Sequence, residues 1–506
     1  MDFRRYFLWG ALFISGYLLF LQWNQEYGSQ STASVTQNSQ VNSATLAAEN
    51  NASDLPTAVN SDTLARSEIP SSATVVATGN LIQVTTDTLK IGINPVGGDI
   101  VSASLLQYKE ILEAADPLII LENSAQRIYV TQSGLIGANG PDAAKEGRPV
   151  YRTEQTSYSL KKGDEPLDVN LYYTDAQGVQ YTKTFRFTAG TYRIRQLINV
   201  DNRSNDAWKG NLFAQIKRDN SPDPSEATSM GLQPYLGGAI SNETTPYTKV
   251  SFSDMADEPV KITSSKGWVA LLQHYFVSAW IPDQGQTFTL QARKNNDFNL
   301  IGFTGATVEI AAGQQGTLGS TFYVGPKLQD QLATTAENLD LTVDYGWLWW
   351  LAQPLFWLLT AIQAVVINWG VAIILIVVCV KALFYKLSAA SYRSMAKMRK
   401  FGPELKRLRE QHGDDRAKMS AAMMELYKKE KINPLGGCLP ILVQMPVFLS
   451  LYWVLMESVE LRHAPFMLWI NDLSSMDPYF VLPILMGISM LGQQMLNPTP
   501  VHPRHV

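Results

Sequence analysis

Residues 346–387 read GWLWWLAQPLFWLLTAIQAVVINWGVAIILIVVCVKALFYKL, and Lys381 and Lys386 are the only charged side chains in the run. A helix crosses the ~30 Å hydrocarbon core of a bilayer with about 20 residues, so this stretch is twice as long as one span requires. It could be a hairpin of two spans turning at Asn368-Trp369-Gly370, or an interfacial helix up to residue 366 followed by one span over 367–387. The flanking charges separate the two. Residues 24–345 carry 23 Lys/Arg against 34 Asp/Glu, a net of −11, whereas residues 381–433 carry 14 against 6, a net of +8. Lys/Arg-rich loops stay on the cytoplasmic side, so the two flanks belong on opposite sides and the run crosses once. Trp347, Trp349, Trp350 and Trp357 suit a headgroup belt, which predicts an interfacial helix over 341–366.

Other apolar runs extend this pattern. Arg4-Arg5 precede the run Tyr6–Trp23, which is longer than a cleaved signal peptide's apolar region and has no small-residue site directly after it. Residues 1–23 therefore read as a signal anchor with a cytoplasmic start. Residues 24–78, rich in Ser, Thr, Asn, Gln and Ala, read as a disordered tether. A third span is expected over 434–457 and a fourth over 479–496. The loop 458–478 and the residue just before it, Glu457, supply one Arg and four carboxylates (Glu457, Glu460, Asp472, Asp477), a balance suited to the outer side. The expectation is an α-helical membrane bundle of four spans with both ends inside. Across 506 residues the net charge is −4, which gives no general basic field for nucleic acid. Two cysteines, Cys379 and Cys438, exclude a disulfide framework, and no clustered ligands point to a metal.

Residues 79–340 alternate with the β period. Leu167, Val169, Leu171 and Tyr173 share a face, Asp175-Ala176-Gln177-Gly178 turns, and Val179, Tyr181, Phe185 and Phe187 continue before Ala189-Gly190 turns again into Tyr192, Ile194 and Ile198. This is an antiparallel meander within a large β-sandwich on the outer side. His274, alone in an apolar strand, reads as structural rather than catalytic. Neither a phosphate-binding loop nor a nucleophile elbow is present. Sandwiches of this size can bind sugars, which leaves a membrane-anchored carbohydrate-binding or sugar-epimerising protein as the alternative.

Residues 388–433 predict a basic cytoplasmic helical hairpin broken at Gly413, with Asp414 and Asp415 capping the second helix. Met395 and Met398 mark one apolar stripe and Met423 lies on the other. They could pack the hairpin, or offer adaptable contacts to varied apolar segments. Lys381 lies inside an apolar span, where a charge costs about 2.5–3.5 kcal/mol on insertion scales. It could snorkel to the headgroups or face a water-filled cavity. Gln444 would be a second polar lining group in the third span, and Pro446 can distort that helix to make room.

Several stretches together resemble a known family. Ser394-Met395-Ala396-Lys397-Met398-Arg399, Tyr427-Lys428-Lys429-Glu430-Lys431-Ile432-Asn433-Pro434-Leu435-Gly436-Gly437-Cys438 and Gln444-Met445-Pro446-Val447-Phe448 resemble the YidC membrane protein insertases of Gram-negative bacteria, as do Asp340–Leu348 and Gly267-Trp268-Val269-Ala270. The resemblance implies a membrane insertase and chaperone, not an enzyme and without cofactor, that inserts and folds inner-membrane proteins alone or beside the Sec translocon. It implies a periplasmic β-supersandwich and a hydrophilic groove open to cytoplasm and lipid. Expected partners are nascent membrane proteins, the translocon, the ribosome, the signal recognition particle receptor and the bilayer. The groove's positive residue is usually arginine in the family. Lys381 takes that position here, keeping the charge without the bidentate fork. Gln444, Met445, Phe448, Met395, Met398 and Met423 are the matching candidates for lining the groove or touching substrate. The family has two further spans and a basic tail beyond its fourth span, whereas this pattern ends at Asn497-Pro498-Thr499-Pro500. Residues 497–506 are expected to be an atypical tail left by truncation or a change of reading frame.

Overall fold

The computed structural model of the chain describes residues 55–56, 81–145, 147–223, 234–401, 403–404, 407–408, 411, 416–429 and 439–496. The expected signal anchor, nearly all of the tether, the turn at Gly413-Asp414-Asp415, Cys438 and the tail 497–506 lie outside these residues.

The β domain is built from two large sheets. The first runs in the order Val260–Ser264, Phe288–Asn295, Phe298–Gly305, Trp208–Arg218, Ile128–Ile136, Pro117–Asn123, Asp99–Lys109, Leu89–Asn94, Ile82–Thr85 and Ser157–Ser159, with Val308–Ile310 paired to Trp208–Arg218. The second runs Thr248–Val250, Gly237–Asn242, Gly267–Leu272, Phe276–Pro282, Gln315–Pro326, Arg193–Asp201, Gln180–Phe187, Leu167–Thr174 and Arg152–Thr153. The predicted meander is present as Leu167–Thr174, Gln180–Phe187 and Arg193–Asp201, paired antiparallel. Its buried side is set by the two-residue alternation: Val169, Leu171, Tyr181, Phe185, Phe187, Ile194 and Ile198 are all inside. The Asp175 carboxylate accepts from the backbone N–H groups of Gln177 and Val179 at 2.9 Å each, which closes the first turn.

Polar ties cross between the sheets. Trp280 donates its indole N–H to Thr131 Oγ1 at 2.5 Å, and Ser133 Oγ donates to Gln196 Oε1 at 2.7 Å. Lys183, fully buried, donates to the carbonyls of Gly97 at 2.9 Å and Ser133 at 2.8 Å. Beside it Arg148 binds Asp142 at 2.8 Å and also pairs with Asp99, so two cations and two carboxylates balance inside the domain. Gly97, at φ 74°, is a turn residue, and a Cβ there would sit 2.3 Å from the Arg148 guanidinium.

The helices are α1 (Phe252–Asp257), α2 (Gln329–Thr335), α3 (Trp349–Val366), α4 (Trp369–Leu383), α5 (Tyr385–Lys400), α6 (Arg416–Lys429), α7 (Leu439–Glu457) and α8 (Val481–Leu496). The long apolar run divides at Ile367, whose φ of 57° ends α3, and Asn368 Oδ1 then caps α4 by accepting from Val371 N at 3.0 Å. The expected second span, 367–387, is interrupted: α4 ends at Leu383 and Tyr385 starts α5. At 15 residues, α4 by itself is roughly 22 Å long, and together with Tyr385–Ser394 it is long and apolar enough for one interrupted span. Among the described residues, Gly346–Val366 is by itself long and apolar enough to span a membrane, while Leu442–Glu457 and Val481–Met495 are shorter apolar helices. Along α8 the apolar residues Leu482, Ile484, Leu485, Met486, Ile488, Met490, Leu491 and Met495 are all exposed.

Candidate functional site

Lys381 is in the last turn of α4 and its ammonium stands 5.1 Å from the centre of the Phe448 ring on α7. That distance allows a cation–π attraction. Gln444 lies four residues before Phe448 on α7, hence on the same helical face one turn along. Gln444 is 9% exposed, and its Nε2 has no hydrogen-bond partner among the described residues. An amide left in this condition in an apolar setting favours any polar group that reaches it. Met445, on the adjacent face, is exposed. Pro446 cannot donate into the helix, and Ser450 Oγ donates to its carbonyl at 2.8 Å. The fold thus places a cation over an aromatic ring, with the Gln444 amide nitrogen a turn away. Met395, Met398 and Met423 belong to α5 and α6, but their side chains lie outside what is described.

The C-terminal end of α7 is joined to the β domain by contacts that sequence reasoning missed. His274 Nε2 lies 3.0 Å from the Met456 carbonyl, and the ring stacks on Tyr275 at 3.7 Å. His274 sits in the turn between Gly267–Leu272 and Phe276–Pro282, not within a strand as the sequence suggested. Burial, reinforced by Lys327, pulls its pKa down to about 4, so the imidazole is neutral at pH 7. Arg462, in the loop after α7, donates to the carbonyls of Lys109 at 2.8 Å and Glu110 at 2.7 Å. Its guanidinium lies 5.5 Å and 5.8 Å from the rings of Tyr275 and Phe276. Glu457 faces Lys327 at 3.8 Å, and both are buried.

The loop itself is ordered by Asp472. Its carboxylate accepts from the backbone N–H groups of His463 and Ser474 at 2.9 and 2.8 Å, and from the hydroxyls of Ser474 and Ser475 at 2.6 and 2.9 Å. Burial raises its pKa, and these bonds outweigh that to leave it lowered. Asn368 Nδ2 donates to the Phe466 carbonyl at 2.9 Å, tying the loop to the start of α4. The loop's acidic balance, read from sequence as a sidedness signal, is therefore partly structural.

Comparison with known proteins identifies the family. Residues 81–358 match the family described as the YidC periplasmic domain, and residues 361–505 match the family described as 60Kd inner membrane protein. The chain belongs to the YidC family. A membrane protein insertase YidC of Marinomonas sp. (strain MWYL1) is 74% identical over 503 residues, covering 99% of this chain and 91% of the relative. The YidC of Pseudomonas fluorescens (strain SBW25) is 52% identical over 99% of this chain and 90% of its own length, and that of Azotobacter vinelandii 50% identical over the same shares. The all-β domain is thus the family's periplasmic domain, in a chain of the inner-membrane family. A solved galactose mutarotase-like protein from Lactobacillus casei ATCC 334 covers 48% of this chain at 11% identity, with a TM-score of 0.32, too low to bear on function.

Proposed function

We propose that this chain inserts and folds inner-membrane proteins by catalysed partition rather than bond chemistry, through a groove whose polar members are Lys381 and Gln444. The observation that carries the reading is the Lys381 ammonium 5.1 Å from the Phe448 ring, with the Gln444 Nε2, which has no partner among the described residues, a turn away on the same helix as Phe448. Lys381 compensates the charge of an acidic or polar substrate end while that end crosses. Phe448 and Met445 meet the substrate's apolar segment, and Met395, Met398 and Met423 serve arriving chains on the cytoplasmic side. No cofactor takes part.

In this reading residues 1–23 anchor the chain with a cytoplasmic N-terminus, 24–78 tether the periplasmic domain 79–340, and 341–366 lie at the outer interface. Spans 367–387, 434–457 and 479–496 flank the cytoplasmic hairpin 388–433 and the periplasmic loop 458–478. The −11 and +8 charge segregation supports this placement. The exposed apolar sides of α8 suit contact with lipid. Partners are nascent membrane proteins, the Sec translocon, the ribosome and the signal recognition particle receptor, with the +8 hairpin supplying electrostatic attraction to RNA and anionic lipid.

The test is insertion into proteoliposomes of a substrate with an acidic translocated end. Lys381→Arg is expected to retain insertion and Lys381→Glu to reduce it at least tenfold, in line with the roughly 2.5–3.5 kcal/mol that a charge costs within a span. Equal insertion by Lys381→Glu and the parent chain would overturn the proposal.

A further inference from the structure

A cavity of about 530 Å³ opens where the β domain meets the outer end of α7, lined by Tyr235, Leu236, Lys249, Leu272, Lys327, Thr342, Asp344, Trp453, Met456 and Glu457, among others. Its charges are two ammonium groups and two carboxylates. Asp344 pairs with Lys249, which also stands 4.7 Å from the Tyr235 ring. The second pair differs. Lys327 is 4% exposed and the Glu457 side chain 7%, yet their closest approach is 3.8 Å, too long for a hydrogen bond. Nearby, the Tyr247 hydroxyl is buried without a partner. Burial pulls the Lys327 ammonium below its ordinary pKa, against the pull of Glu457. Two opposite charges that face one cavity 3.8 Å apart can each turn toward a polar occupant of that cavity.

The composition of the cavity selects the kind of occupant. A simple anion would meet Asp344 and Glu457, and a simple cation would meet Lys249 and Lys327. A zwitterion with separated ammonium and phosphate ends satisfies both pairs at once. The apolar members Leu236, Leu272, Trp453 and Met456 would receive a short hydrocarbon stem, and Trp453 on α7 is a residue type suited to the headgroup layer. We infer that this cavity binds a phosphoethanolamine head group, its phosphate toward Lys249 and Lys327 and its ammonium toward Glu457 and Asp344. With the outer end of α7 placed at the periplasmic face, as under the proposed function, the source is phosphatidylethanolamine of the outer leaflet.

The full chain purified in detergent is loaded with phosphatidylethanolamine, phosphatidylcholine or phosphatidylglycerol, and lipid retained after washing is counted by native mass spectrometry. One phosphatidylethanolamine per chain is expected, held at least fivefold better than the other two, because a choline cannot donate hydrogen bonds and a glycerol carries no cation. The double variant Lys327→Met/Glu457→Leu replaces the pair with apolar groups that can pack, so it should fold. It should lose at least tenfold in retention with a cooperative unfolding transition preserved. Competition by glycerophosphoethanolamine would support the same head-group chemistry. If the membrane placement is wrong and the site right, this water-soluble probe still binds while bilayer lipid does not protect the cavity. Equal retention of the three lipids, or unchanged retention by a folded double variant, would overturn the inference.

Discussion

Removing the Arg462 guanidinium should release the loop 458–478 from the β domain while leaving both otherwise folded. Arg462 is 9% exposed, donates to two carbonyls, Lys109 at 2.8 Å and Glu110 at 2.7 Å, and lies over two aromatic rings. Hydrogen bonds from a charged group contribute about 1.5–3 kcal/mol each, and a cation–π contact about 0.5–2 kcal/mol. Glu110 is exposed, so the freed carbonyls regain water and part of the loss is recovered. Arg462→Met keeps the stem on the rings and loses only the donors and the charge. The expected cost to local docking is about 3 kcal/mol, or roughly a hundredfold in the opening equilibrium. Hydrogen exchange of the full chain reads this directly. The backbone N–H groups of Phe466 and Leu473 are bonded within the loop, to Ile470 and Ala464 carbonyls at 2.9 and 3.1 Å. They should exchange about a hundredfold faster in the variant, while the core strand Arg193–Asp201 keeps its protection. A change of less than threefold at Phe466 and Leu473 would show that the loop holds its position without Arg462 and that the reasoning is wrong.

Arg148→Met should destabilise the β domain by about 3–5 kcal/mol in urea unfolding, because Asp142, fully buried, and Asp99 lose their shared cation and Lys183 alone remains. Glu460 has its carboxyl pushed up to about 7 by burial, with Asp330 adding to the effect. The folded state therefore holds a proton that the unfolded chain releases near its ordinary value. The resulting stabilisation is present at low pH and is lost as pH rises from about 4.5 through about 7. Glu460→Gln should then be more stable than the parent at pH 8 by roughly 1–3 kcal/mol and indistinguishable at pH 4.5, measured as melting temperature in two buffers. Finally, in a background lacking Cys379 and Cys438, a cysteine placed at Gly413 should react with a membrane-impermeant maleimide only after the membrane is opened. One placed at Asp164 in the β domain should react from the periplasmic side; labelling of position 413 from that side would break the topology.

Local periodicity made much of this protein legible. The two-residue alternation of Leu167–Ile198 specifies a half-buried meander, because neighbouring strands pair through nearby turns and the period alone tells which face is inside. The break near Asn368 was visible because a polar cap and a glycine interrupt a long apolar run. The interruption at Phe384 was not, since no glycine, proline or cap marks it. Lys381 stood out as an isolated charge in an apolar segment. What it faces was not readable, because Phe448 is 67 residues further along the chain. His274 looked like a residue of an apolar strand because the turn that holds it carries no turn-forming residue, only Gln273 and Tyr275 beside it.

The β class of the periplasmic domain, the apolar helices and the charge asymmetry can be read along the chain, since each depends on residues within a few positions of one another. The balanced cluster of Asp99, Asp142, Arg148 and Lys183, the cavity between Lys249, Lys327, Asp344 and Glu457, and the seat of Arg462 on carbonyls 353 and 352 residues away exist only in the folded chain. A buried charge is stabilised by whichever partners the fold brings within hydrogen-bonding distance, and separation along the chain carries no information about that distance.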